Sequence, residues 1–270
     1  MSLRISVIIP TYNGSSKISH LINSLQNQTF TNFETIIVVD GSTDNTIDVI
    51  HTENWKLHEM NIIIQQNQGR AVTRNNGFHQ AKGELLLFVD DDMTLHKNCI
   101  QEHLNFHKSH RDSICVGTQI TPYRKGDSDF TNYRVNYLYK QWTSSLHGIT
   151  PVPNNGYLTA ANFSIPKTIF HKLNGFNENL RDAEDYDLAK RALKLNIQLY
   201  YNEFAIGWHQ DYPTINQYIK RQKEYRKYHI YLKQEYPELH GDICVYIKRD
   251  LSYLKRLILK LLKWRMWLSL

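Results

Sequence analysis

Apolar positions along the chain fall into short unbroken runs, separated by stretches with helical spacing. Ile5 to Pro10 reads as a strand buried on both faces. Ser16 to about Gln28 reads as a helix with Ile18, Leu21, Ile22 and Leu25 on one side. Phe33 to Asp40 is a second buried strand, and Asp44 suits an N-cap opening a helix with Ile47, Val49 and Ile50. A short strand at Asn61 to Gln65, a helix from about Gly69 to Ala81, and strands at Glu84 to Asp90 and Ser113 to Gln119 continue the alternation. Continuous apolar strands between helices indicate an α/β fold, a mainly parallel sheet covered on both faces.

After about Thr121 the texture changes. Residues 123–157 are rich in Tyr, Trp, Asn and Pro and predict a weak helix followed by a loop. Leu158 to Ile165 is strand-like, Pro166 opens a short helix ending at Asn174-Gly175, and Ala183 to Leu195 is a helix. Two short strands are expected next, ending at Trp208-His209. The remainder is a long basic and aromatic helical region with a break near Pro237. No repeat or low-complexity linker intervenes, which predicts parts sharing one compact body.

Composition narrows the class. A chain of 270 residues, 41% hydrophobic and 21% charged, can bury a full core in one large domain or two intimate ones, which excludes disorder and a disulfide miniprotein. The net charge of +6 suggests an anionic partner until it is located. Residues 1–211 carry 19 basic and 21 acidic side chains, whereas residues 212–270 carry 13 and 5. The body is therefore not a nucleic-acid-binding surface. Cys99, Cys115 and Cys244 are too far apart for a disulfide framework or a CxxC site and are expected as buried hydrophobes in a reducing cytoplasm. The first apolar run is too short for a signal peptide, and no stretch is long enough to span a bilayer.

In open α/β sheets, ligands bind beyond the carboxyl ends of the strands. Three such ends carry distinctive polar residues: Pro10-Thr11-Tyr12-Asn13, Asp40-Gly41-Ser42-Thr43-Asp44 and Asp90-Asp91-Asp92. A lone Asp there is a turn former or cap. Three consecutive carboxylates repel one another and need a cation, and hard oxygen donors imply Mg²⁺ or Mn²⁺ bridging to phosphate. Neither GxxxxGK[ST] nor GxGxxG occurs, which argues against a P-loop or a dinucleotide fingerprint. His103, His107 and His110 have a spacing that could suggest a metal site, but no nearby acidic ligand supports it, and a solvated helix face is expected.

The segments SVIIPTYN, VVDGSTDNT, NQGRAVTRNNG and AKGELLLFVDDD, continued by GFNENLRDAEDYDLAKR and WHQ, resemble glycosyltransferase family 2 and its GT-A fold over roughly residues 3–211. The resemblance implies a Rossmann-like GT-A domain with residues 1–120 as its donor-binding half and 121–211 as its acceptor-binding and catalytic half. Residues 212–270 would be a basic helical extension. It also implies that Pro10, Thr11 and Tyr12 lie against a nucleotide, that Asp40 contacts the base, and that Asp90 and Asp92 hold ribose and a Mn²⁺ or Mg²⁺ ion on the diphosphate, with Asp91 beside them. Arg74 and Arg70 are expected near the donor, and His209 near the metal. Glu184-Asp185 resembles the family's catalytic pair, Asp185 being the general base and Glu184 orienting hydroxyls, although acidic residues also simply favour a helix N-terminus. Met93, Thr73, Asn174 and Asn177 depart from the family pattern.

The implied activity is inverting, metal-dependent transfer from a nucleotide-sugar, UDP-linked by preference, to a glycan, lipid-linked or peptide acceptor. The alternatives are a sugar nucleotidyltransferase on a related α/β fold, which would release pyrophosphate, and a non-catalytic binding module, which would lack Asp92 or Asp185. Residues 251–268 plot as an amphipathic helix, with Leu254, Leu257, Ile258, Leu261 and Leu262 opposite Lys255, Arg256, Lys260 and Lys263. Such a helix lies in an anionic membrane interface or packs on the body or on a second copy in a homodimer. A cytoplasmic protein, peripheral at the inner face of the membrane in the first case, is the expectation.

Overall fold

The computed structural model describes residues 4–52, 54–122, 128–135, 146–152 and 158–241. Cys244, most of the segment 123–157 and the amphipathic stretch 251–268 lie outside the described residues. The chain divides into two compact units after Tyr228.

The first unit opens with β1 (Ile5–Thr11), α1 (Ile18–Gln26), β2 (Phe33–Asp40), α2 (Thr46–Thr52), β3 (Glu59–Gln65), α3 (Arg70–Gln80) and β4 (Leu85–Val89). It continues through β5 (Met93–Leu95), α4 (Cys99–Ser109), β6 (Ile114–Ile120), α5 (Asp129–Tyr133), β7 (Ile149–Pro151) and β8 (Asn162–Pro166). Then follow α6 (Lys167–Lys172), α7 (Glu184–Lys194), β9 (Leu199–His209) and α8 (Ile215–Glu235), the last crossing into the second unit. In that unit the chain breaks at Tyr236 and re-enters a turn of helix, α9 (Pro237–His240), with Pro at its first position, where no N–H is needed.

The described strands form one mixed sheet in the order β3-β2-β1-β4-β8-β6-β9-β5, with β7 added on β9. Its first half is parallel, as the unbroken apolar runs imply. β8 enters antiparallel between β4 and β6. Alternate residues of each strand supply the two cores. Ile8, Ile36, Val38, Leu86 and Phe88 pack under α3, α6 and α7. Val7, Ile37, Val39, Leu87 and Val89 pack under α1 and α4. At the centre of the first core Phe88 stacks on Phe163 at 4.9 Å and meets Phe176 edge-on at 5.4 Å, contacts that carry the chain toward α7.

Two expectations are corrected. The two short strands before His209 are a single strand, β9, whose pairing with β6 jumps between Gly117 and Thr118: Gly117 faces Asn202 and Thr118 faces Ile206. The extra residues form a bulge. The Thr118 hydroxyl lies within hydrogen-bond reach of the Asn202 and Glu203 carbonyls, at 3.2 and 3.0 Å, and the Asn162 amide donates to Ala205 at 2.9 Å. The histidines of α4 are also not solvated. His103 and His107 are buried, their rings against Ser164 at 2.8 Å each, with His103 also 3.0 Å from Asn162. Burial pushes His103 down to about 4 and His107 to about 3, so both stay neutral at pH 7. The i, i+4 spacing does place them on one face, but β8 offers that face two polar residues at i, i+2. His110 lies flat on Phe106 at 4.5 Å. Cys99 and Cys115 are buried free thiols, as expected.

Asn162 thus ties together β8, the β9 bulge and α4. Replacing it with Leu leaves two strand carbonyls and a histidine nitrogen unpaired in the core. We expect Asn162→Leu to lower the unfolding free energy by roughly 3 kcal/mol. Urea denaturation checks this, and an unchanged midpoint would overturn the role given to Asn162.

Candidate active site

β2, β1 and β4 are neighbours and parallel, so their carboxyl ends open on one side of the sheet. A cleft of about 550 Å³ lies there, in the range of small-molecule sites. Pro10 and Thr11 end β1, Tyr12 stands half-exposed at the rim, Asp40 ends β2, and Asp90 to Asp92 follow β4. The structure brings these residues together as the sequence implies.

The loops beneath are stitched to one another. The Asn13 N–H donates to Ser42 at 3.0 Å, the Gly14 N–H to Thr46 at 2.8 Å, and the Thr43 N–H to the Asn13 side chain at 2.8 Å. Asp44 accepts from the Thr46 N–H at 3.1 Å, the cap expected of it. The Asp40 carboxylate accepts from the N–H groups of Gln68 and Gly69 and from the Gln65 amide, at 2.8, 2.9 and 2.8 Å, which shapes the turn into α3. Gly41 there has φ +67°, and a Cβ would sit 2.6 Å from the Asn67 nitrogen, so no other residue fits.

The three consecutive aspartates have separate tasks. Asp91 turns to Thr11 (2.7 Å) and Lys17 (2.9 Å) and fastens the end of β1. Burial raises its pKa, with Lys17 pulling the other way. Asp90 takes a hydrogen bond of 2.6 Å from Arg74. Asp92 faces His209, whose Nε2 is 3.1 Å from Asp92 Oδ1. That proximity follows from topology: β5 begins at the residue after Asp92 and pairs antiparallel with the end of β9, setting Met93 opposite His209. His209 Nδ1 is buried without a hydrogen-bond partner, and Asp92 Oδ1 has the His209 ring beside it. Among the described residues no group of three or more His, Cys, Asp or Glu side chains is assembled to hold a metal unaided.

Arg74 joins the two halves of the site. It is fully enclosed, 2% exposed, and its fork donates one N–H to Asp90 and the other to Glu184 at 2.7 Å. Burial opposes its charge, but the two carboxylates outweigh it and hold the guanidinium above its usual pKa. Phe176 lies under it at 5.5 Å. Asn75, the next residue of α3, clasps the turn that leads to α7, donating to the Phe176 carbonyl and accepting from its N–H, both at 2.9 Å. The chain enters α7 through Ala183 at φ +63°, a left-handed conformation that costs a non-glycine residue about 1–2 kcal/mol. Asp185 follows, half-buried on the pocket wall opposite the strand ends, accepting from the Tyr186 N–H at 2.8 Å. Burial, then the adjacent Glu184 charge, pushes its carboxyl up to about 7.

Arg70 lines the cleft and pairs with Asp182 at 3.3 Å. Sequence reasoning missed Lys17, Asn75, Arg181, Asp211, Arg221 and Tyr225. Arg181 and Asp211 flank recognised motifs. Arg221 and Tyr225 belong to the stretch read as a basic extension, yet both line the cleft.

The Glycosyl transferase family 2 model matches residues 6–176. An uncharacterized glycosyltransferase of Rickettsia typhi is 25% identical over 267 residues, 93% of this chain and 81% of that protein. The poly(ribitol-phosphate) β-N-acetylglucosaminyltransferase TarS of Staphylococcus aureus is 36% identical over 117 residues, 42% of this chain but 20% of that enzyme, so the chain spans a small part of its length. The fold matches TarS residues 1–349 in complex with UDP-GlcNAc, with a TM-score of 0.59 at 24% identity, covering 86% of this chain and 67% of that one. It also matches the mannosyltransferase PcManGT of Pyrobaculum calidifontis in complex with GDP-Man and Mn²⁺, with a TM-score of 0.68 at 15% identity, covering 92% and 71%.

Removing Arg74 would strand the buried Glu184 and the half-buried Asp90. We expect Arg74→Met to cost about 3–5 kcal/mol of stability in urea denaturation. Arg74→Lys should recover only part, because an ammonium lacks the planar fork. Unchanged stability in Arg74→Met would sink the clamp.

Proposed function

The chain belongs to glycosyl transferase family 2, and on that premise we propose that it transfers a sugar, with inversion, from a UDP-linked donor to an acceptor hydroxyl, Asp185 acting as general base. The observation that carries this reading is the make-up of the cleft: carboxylates at the ends of β2 and β4, and at the start of α7 a carboxylate whose pKa is raised to about 7. TarS, by its name an N-acetylglucosaminyltransferase, supports a nucleotide-sugar donor.

In this reading the base lies toward Tyr12 and Asp40 and the ribose toward Asp90. Asp92 and His209 would hold Mg²⁺ or Mn²⁺ jointly with the diphosphate. The unpartnered Nδ1 of His209 and the Asp92 carboxylate beside its ring suit an ion that takes its remaining ligands from phosphate and water. When bound, such an ion neutralises charge developing on the leaving diphosphate. The Mn²⁺ in the PcManGT complex supports this. Glu184 is held by Arg74 and positions the base beside it. Asp185 takes the proton of the acceptor hydroxyl as that oxygen attacks the anomeric carbon from the face opposite the diphosphate. A pKa near the working pH keeps Asp185 ionised in part at rest yet basic enough to accept the proton.

Two outcomes follow. Asp185→Asn should bind UDP and Mn²⁺ normally in calorimetry while transfer falls at least ~100-fold; full activity in that variant would remove Asp185 from the mechanism. In the wild type the base must be deprotonated, so kcat/KM should fall about tenfold per pH unit below an apparent pKa near 7. A profile flat between pH 5.5 and 8 would contradict the assignment.

A further inference from the structure

The cleft is lined by three arginines to which the mechanism above gives no task. Arg70, Arg181 and Arg221 all face it. Arg70 has one carboxylate partner, Asp182, and keeps 48% of its side chain exposed. Arg221 donates to Asp211 at 2.8 Å, but Asp211 already receives Arg134 at 3.0 Å, so one carboxylate serves two guanidiniums. Arg181 is exposed and has no carboxylate partner among the described residues. Arg134 and Arg221 thus share Asp211, and Arg70 is answered by Asp182 together with the charges of Glu184 and Asp90, whereas Arg181 has no such answer among the described residues. Tyr225, one helical turn after Arg221, lines the same wall. Exposed guanidiniums that share a carboxylate or lack one, lining a cleft, suit an anionic group on a ligand.

We propose that Arg181 and Arg221, with Arg70 beside them, form an oxyanion subsite on the acceptor side, so that the acceptor carries a phosphate or carboxylate group near the hydroxyl it offers. This rests on the donor reading above, in which the diphosphate lies at Asp92 and His209; Tyr225, one turn after Arg221, lies within electrostatic reach of Asp185, which sets this wall on the side of the proposed base. The guanidinium fork matches both oxyanions, donating two parallel N–H bonds to either. The subsite would also select against neutral polyols, whose hydroxyls offer a guanidinium no opposite charge.

Calorimetry on the full chain tests this with glycerol 3-phosphate, glucuronate and glycerol as probes, each with and without UDP and Mn²⁺. Saturable binding of glycerol 3-phosphate or glucuronate, but not glycerol, is expected, and the anion that binds identifies the source of the charge. Arg181→Gln and Arg221→Gln should each weaken that binding by about tenfold or more, the scale of a lost charge-assisted hydrogen bond, with UDP affinity unchanged. Arg181 has no partner to strand and Asp211 keeps Arg134 in the second variant, so both should fold. Absence of saturable anion binding to the wild type, or a loss of UDP affinity in either variant, would overturn the subsite. Failure of the wild type to bind UDP would count against the donor reading, whereas arginine-dependent anion binding without UDP would still uphold the subsite.

Discussion

One guanidinium holds the site together. Arg74 comes from the third helix, Asp90 from the end of a central strand and Glu184 from the start of a helix more than ninety residues further along. None of these elements would fix the others through backbone pairing, because the strand-end turn and the entry to α7 are both irregular. A buried charge with a carboxylate on each arm supplies the missing constraint. It is directional, since the fork is planar, and costly to leave half-made. Asp185 inherits its position, being the neighbour of a residue already pinned, and its charge is disfavoured by the same Glu184 that Arg74 holds in place.

The consequence is a division of labour among acidic residues that look alike in the sequence. Asp40 shapes a loop, Asp91 fastens a strand end to Lys17, Asp90 and Glu184 grip Arg74, and Asp182 and Asp211 answer arginines at the mouth. Asp92 and Asp185 are left facing the cleft without such an engagement by an arginine or lysine among the described residues. The carboxylates that structure has not already claimed are the ones the proposed mechanism uses.

Much of the architecture was legible in the residues. A parallel strand covered on both faces must be apolar throughout, so β1, β2 and β4 stand out, and the polar residues that interrupt them fall at the ligand-binding ends. What the sequence hid were features decided by packing partners. The burial of His103 and His107 depends on which face of α4 meets β8, and α4 alone does not reveal that β8 presents Asn162 and Ser164. The three-residue strand β5 carries no periodicity of its own; its pairing with β9 is what brings His209 to Asp92. Arg221 and Tyr225 read as part of a solvated basic extension because the hydrophobic pattern of α8 does not say which of its turns abuts the cleft. The total charge was similarly silent: the body is nearly balanced, and its function turns on where single charges are left uncancelled.

The bulge in β9 has a bearing on how this protein tolerates change. Before it, the strand is registered against β6 from Ile114 to Gly117; after it, the strand is registered against both β6 and β5. The residues between, with Phe204 largely exposed, belong to neither ladder. Ala205 is buried and held by Asn162, so the exposed Phe204 is where an otherwise taut line has slack. A residue gained or lost there can be absorbed locally, leaving His209 at its station, whereas the same change a few residues later would slide the histidine off the aspartate and turn it to the opposite face of the sheet.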